Sequence, residues 1–160
     1  MQKIVKQWLF LFLFVGFSLL IGFAGSQLSG SESVPQIYSN LNQPSFAPPS
    51  WIFAPVWTVL YILMGISAYL IWRKRKEEDV KNSLVLFFVQ IFFNLIWPII
   101  FFGLGNYLLA FIDILLLLVL IFLTMKSFYK TSKTATYLLI PYILWVSFAS
   151  FLNLTFLMIN

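Results

Sequence analysis

Side chains able to do polar chemistry are scarce in this chain, and the spacing of a few of them is informative. Gln90, Asn94 and Pro98 recur every fourth residue, which places them on one stripe of a helix. Proline lacks an N–H and crowds the carbonyl four residues back, so the backbone carbonyl of Asn94 is freed. One residue then offers a side-chain amide and a spare acceptor. In a membrane such groups either glue helices together, at about 0.6 kcal/mol each, or face a cavity and meet a ligand. Two aromatic stripes accompany them: Phe53, Trp57, Tyr61 and Gly65, and Pro141, Trp145, Ala149 and Asn153. Flat rings beside an amide suit a large, planar, mostly apolar ligand, although an ordinary aromatic helix interface is the commoner use of such residues.

Asp113 is the one carboxylate deep in an apolar run, and a structural hydrogen bond to a neighbouring helix fits it better than a proton relay, which would need a second titrating partner. Cysteine and histidine are both absent. That excludes disulfides, thiol redox chemistry, the usual zinc sites and histidine-ligated haem, and no metal site or required cofactor is expected. No paired carboxylates, activated serine or glycine-rich phosphate loop is present either.

The elements that must position these residues follow from composition. Of 160 residues, 61% are apolar and 9% charged, with a mean hydropathy of +0.94. Soluble domains carry about 25% charged residues, so no polar shell can be assembled around this much hydrocarbon. The expected class is an all-α integral membrane protein: one domain over residues 1–160, built as a bundle of five transmembrane helices. Runs of about 20 apolar residues lie at about 5–28, 51–72, 84–102, 107–125 and 135–158.

Lys3 and Lys6 before an apolar run, with Gly22-Phe23-Ala24 after it, also permit a cleaved signal peptide. The run is long for that purpose, and Ser18, Gly22 and Ser26 form a small-residue ridge suited to close helix packing, which favours a retained span. All ten basic residues fall before the first run or in the second and fourth connections, around Arg73–Lys81 and Lys126–Lys133. The positive-inside rule then makes the N-terminus cytoplasmic and the C-terminus external. It explains the net charge of +5 without nucleic acid as a partner. The first loop, about 29–50, holds four prolines and no Lys or Arg, and reads as an external lid without evident secondary structure. At 1.5 Å per residue Trp57 lies about 9 Å, Asn94 about 12 Å and Trp145 about 20 Å from the outer ends of their helices. Trp8, Trp51 and Trp72 sit at run ends, as interfacial tryptophans do.

Three blocks resemble the TspO/MBR family, the translocator proteins once called peripheral benzodiazepine receptors. They are Pro44-Ser45-Phe46-Ala47-Pro48-Pro49-Ser50-Trp51 running on through Pro55, Trp57, Tyr61 and Gly65; Gln90 to Asn94, Trp97 and Pro98; and Pro141, Tyr142, Trp145, Ala149 and Asn153. The resemblance implies a five-helix bundle, commonly a homodimer in the membrane lipid, with a pocket beneath the first loop. It implies a receptor for porphyrins and related hydrophobic planar ligands, acting in tetrapyrrole sensing, sequestration or transport under stress, here in a bacterial plasma membrane. Carried over by motif position, the ligand site comprises Tyr38, Pro48, Trp57, Gln90, Asn94, Trp145 and Ala149.

Two alternatives accompany that reading. One is light- and oxygen-dependent degradation of bound porphyrin, with Trp57 and Trp145 as candidate catalytic residues. The other is an interaction scaffold using the basic second connection. Phe46 stands where many members carry Trp, which alters a lid contact, and the tail lacks the Tyr followed by Arg or Lys of the sterol-recognition pattern. Without His or Cys as axial ligand, metal-free protoporphyrin is the expected porphyrin.

Overall fold

A computed structural model describes residues 2–30 and 34–160. Positions 31–33 of the first loop lie outside the described residues. In chain order the elements are α1 (Gln2–Leu28), α2 (Val34–Asn40), a 3-10 turn (Ser50–Ile52), α3 (Phe53–Arg73), a second 3-10 turn (Lys74–Lys76), α4 (Lys81–Pro98), a π turn (Ile99–Gly103), α5 (Tyr107–Thr131), α6 (Lys133–Tyr137) and α7 (Ile140–Ile159). No strand occurs among the described residues. Five stretches are long and apolar enough to cross a membrane: Val5–Leu28, Ser50–Lys76, Lys81–Gly103, Tyr107–Thr131 and Lys133–Ile159. Their outward faces carry Phe12, Leu116, Phe122 and Leu144, all exposed. A surface of that kind is stable against lipid and not against water.

Local chemistry sets the helix ends. The Asn106 side chain caps α5 by accepting from the Leu109 N–H at 2.9 Å, and the Ser132 hydroxyl caps α6 by accepting from the Ala135 N–H at 3.2 Å. The fourth span runs on to Thr131, beyond the expected 125. The fifth is two helices, because Pro141 has no N–H to offer the Tyr137 carbonyl and the chain turns at Leu138–Leu139. Pro98 behaves otherwise: α4 continues through it at φ −65° and ψ −30°, then widens into the π turn. The first loop is also more structured than expected, since it contains α2.

The tightest packing joins α1 to α3. A Cβ on Gly65 would fall 2.5 Å from the Val15 Cα, so the two backbones are in contact there, and Gly22 lies directly beneath the Tyr61 ring. The small-residue face of α1 runs through Ser18, Gly22, Gly25 and Ser29; Ser26, expected on that ridge, is exposed. The face drifts because each helical residue turns 100°, so the seam continues at i+7 from Ser18 and not at i+8.

Polar ties fix the two ends of the bundle. At one end the Ser67 hydroxyl donates to the Ala135 carbonyl at 2.6 Å, and the Ser83 and Ser127 hydroxyls bond at 2.7 Å. This end carries the basic connections, where the Arg75 guanidinium lies 3.3 Å from the centre of the Trp72 ring. At the other end the Asn42 N–H donates to Asn160 Oδ1 at 2.9 Å, and Asn160 Nδ2 donates to the Asn42 carbonyl at 3.2 Å. That clasp ties the proline-rich loop to the end of α7.

Candidate functional site

The stripe on α4 is met by tyrosines from both sides. The Tyr61 hydroxyl, from α3, donates to Asn94 Oδ1 at 2.5 Å. Asn94 Nδ2 donates to the Tyr142 oxygen at 3.0 Å, and the Tyr142 hydroxyl in turn donates to Gln90 Oε1 at 2.7 Å. Each hydroxyl satisfies an amide that would otherwise be stranded in an apolar interior. All four residues are buried, Tyr142 completely. In this conformation Gln90 and Asn94 therefore join α3, α4 and α7, and Gln90 Nε2 is left buried without a partner.

Aromatic rings surround this chain of bonds. Trp57 stacks on Tyr61 with centroids 5.5 Å apart and meets Tyr142 edge-on at 6.3 Å. Trp57, Asn94, Trp97, Val146 and Ala149 line one interior cavity of about 10 Å³. That is room for about one water, far below the roughly 300–1,000 Å³ of a small-molecule site. Trp145 lies to one side of the cavity, half-buried, edge-on to Phe53 at 6.0 Å, with its indole N–H buried and unpartnered. It lines an open apolar cleft of about 590 Å³ between α3 and α7.

The loop residues form a cover. Tyr38 is 2% exposed, and its hydroxyl donates to the Pro48 carbonyl at 2.9 Å. Its ring packs edge-on against Phe53 at 4.9 Å and Phe156 at 5.7 Å. Burial pushes the Tyr38 phenol above its ordinary value of 10.0, because the charged form would lose its water. Phe46 stacks on Phe151 at 5.1 Å.

Of the sequence-derived site residues, Trp57, Asn94 and Ala149 share the cavity, and Gln90 joins through Tyr142. Tyr38 and Pro48 bond to each other at the loop, and Trp145 lines the cleft and not the cavity. Tyr142 is the residue that sequence reasoning missed as a site residue. The α7 stripe drawn through Pro141, Trp145, Ala149 and Asn153 holds in its second half and is one residue out of phase in its first: Pro141 is exposed, and the buried face runs through Tyr142, Val146, Ala149 and Asn153. Trp97 was also passed over. Its N–H donates to Asn153 Oδ1 at 3.0 Å, and Asn153 Nδ2 donates to the Tyr107 carbonyl at 3.0 Å, which ties α4, α7 and the start of α5 together. Among the described residues Asp113 makes no hydrogen bond to a neighbouring helix, contrary to expectation. It is 6% exposed, with Oδ2 buried and unpartnered.

Comparison with known proteins agrees with this architecture. The TspO/MBR family model matches residues 14–159. The tryptophan-rich protein TspO of Chlorobaculum tepidum is 44% identical over 97% of this chain and 98% of its own length. The human translocator protein is 36% identical over 82% of this chain and 78% of its own. The tryptophan-rich sensory protein of Cereibacter sphaeroides is 32% identical over 77% and 76%. With five apolar helices and a family match across nearly its whole length, this chain is an integral membrane protein and belongs to the TspO/MBR family.

Proposed function

We propose that the protein is a membrane receptor for porphyrins and related planar apolar molecules, held among α3, α4 and α7 beneath the loop. The observation that carries this is the convergence of Trp57, Asn94 and Ala149 on one interior cavity, with the unpartnered Trp145 N–H beside it. Rings supply stacking surface, and the indole N–H and the amides supply donors for carboxylate or carbonyl acceptors on the ligand. The cavity is collapsed in this conformation, so binding requires α7 or the loop to move outward. Relatives named as translocator and as sensory proteins fit a role in which ligand occupancy is carried or reported.

Titration of purified protein with protoporphyrin in the dark, followed by the porphyrin's own absorbance, tests this reading. Saturable binding in wild type, weakened at least tenfold in W57F/W145F, is the expected result. Absence of saturable binding rejects it.

A second reading, light-driven oxidation of bound porphyrin by molecular oxygen, draws support from the stack of Trp57, which lines the cavity, on Tyr61, an oxidisable pair. Illumination of the same samples separates the two. Porphyrin loss that disappears in Trp57→Phe while binding persists favours catalysis, and equal loss in both favours a receptor alone.

A further inference from the structure

The interior cavity and the cleft share two helix walls. On α3, Val56 lines the cleft and the next residue, Trp57, lines the cavity. On α7, Trp145 and Phe148 line the cleft while Val146 and Ala149 line the cavity. The loop end above is sealed by Tyr38 and by the Asn42–Asn160 clasp. Toward the basic end Met64 and Phe87 are fully buried. The cleft, by contrast, is broad and apolar, and its rim residues Val59 and Leu144 are 55% and 64% exposed on the face turned to lipid.

The α3–α7 seam is also lightly tied. No hydrogen bond joins α3 directly to α7 among the described residues; they are linked through Asn94 of α4. The break at Leu138–Leu139, with Pro141 just beyond it, gives α7 a joint at its start, near the basic end of the span, about which the rest of the helix can swing. Because lipid tails are as apolar as the wall residues, separating these helices into the bilayer sacrifices no hydrophobic burial.

We propose that the α3/α7 cleft is a lateral portal: a flat apolar molecule dissolved in the bilayer seats in it and passes between Val56 and Trp145 into the cavity. The buried Trp145 N–H meets an acceptor on the incoming molecule, so the class admitted is a planar ring system bearing a carbonyl or carboxylate. The portal rests on the interior-site reading above and adds to it the route and the phase from which ligand comes.

Stopped-flow binding of protoporphyrin, delivered from preloaded lipid vesicles to the protein in nanodiscs, tests it. V59F/L144F fills the rim from the lipid side. Association and dissociation rate constants both fall at least fivefold, with Kd unchanged within twofold, because a plug on the route acts on both directions alike. L144A widens the rim, raises both rates, and covers the case in which the bulky variant folds poorly. N42A/N160A, which loosens the loop, leaves the rates within twofold. Unchanged rates in V59F/L144F and L144A overturn the portal while leaving the site intact, as does acceleration confined to N42A/N160A, which assigns access to the loop. No saturable binding in wild type overturns portal and interior site together.

Discussion

The Tyr61 hydroxyl on α3 donates a 2.5 Å hydrogen bond to Asn94 Oδ1 on α4, and the ring that carries it rests against Gly22 of α1. A missing side chain on one helix thus sets the position of a polar bond between two others. Any substitution that lifts Tyr61 also releases Asn94, and with it the amide that faces the cavity.

Tyr142→Phe is expected to destabilise the protein more than Tyr61→Phe. Loss of the Tyr142 hydroxyl strands both Asn94 Nδ2 and Gln90 Oε1, whereas loss of the Tyr61 hydroxyl strands Asn94 Oδ1 alone. Each orphaned buried group costs about 1 kcal/mol, so the difference is on the order of 1 kcal/mol, at the upper end of values for interhelical bonds in membranes. Thermal unfolding in detergent reads it as a lower Tm for Tyr142→Phe. Equal Tm values for the two variants would show that the chain of bonds is not what holds these helices.

Gly65→Ala is expected to be severe and Gly16→Ala nearly silent. The added methyl at 65 would lie 2.8 Å from the Phe14 carbonyl oxygen as well as against Val15, all backbone atoms that cannot rotate away, while nothing lies within 4 Å at 16. Forced separation of α1 and α3 loses packing worth about 1–3 kcal/mol or more, whereas alanine at an exposed helical site is tolerated. Size-exclusion recovery after a heat step distinguishes them. A Gly65→Ala protein as stable as wild type would contradict the close α1–α3 crossing.

Spacing alone made part of this legible. The Gln90, Asn94 stripe and the aromatic residues at Trp57 and Trp145 follow from four-residue intervals, and the five spans follow from runs of hydrocarbon. What filled the amides did not. In helices that are apolar all round, composition carries no mark of which face turns inward, so four-residue spacing places Ala149 and Asn153 on the buried face of α7 but picks Pro141 and Trp145 where Tyr142 and Val146 are the buried residues. The break at Leu138–Leu139 had a visible cause in Pro141, yet Pro98 shows that proline need not end a helix where the following turn can widen. The loop helix α2 was obscured by prolines that, as with Pro35, are tolerated in a first turn.

The loop cover is expected to loosen in alkali through Tyr38. Its folded-state pKa is raised by burial, so the neutral phenol is favoured in the docked loop, and that contribution is present below the ordinary value of 10.0 and is lost as pH rises through the folded value. Proteolysis of the loop should therefore accelerate above about pH 10 in wild type. Tyr38→Phe, which has lost the bond to the Pro48 carbonyl but cannot ionise, should be cut somewhat faster at neutral pH and show a smaller alkaline rise. An identical alkaline rise in both proteins would assign it to another group.

Asp113→Leu is expected to leave the protein as stable as wild type or to raise its stability by about 1 kcal/mol. Asp113 sits beside Ile114 and near Leu117 and Ala110 on the buried face of α5, with one carboxyl oxygen sealed from solvent and offered no donor. A stranded polar group costs more than its apolar replacement, which fills similar volume and adds packing. Asp113→Asn separates shape from charge: it keeps the size, adds two donors, and should fall between the two. Chemical or thermal unfolding in the same detergent ranks the three proteins. A loss of 1 kcal/mol or more in Asp113→Leu would mean that the carboxyl is satisfied in the membrane by a group it does not meet in this conformation.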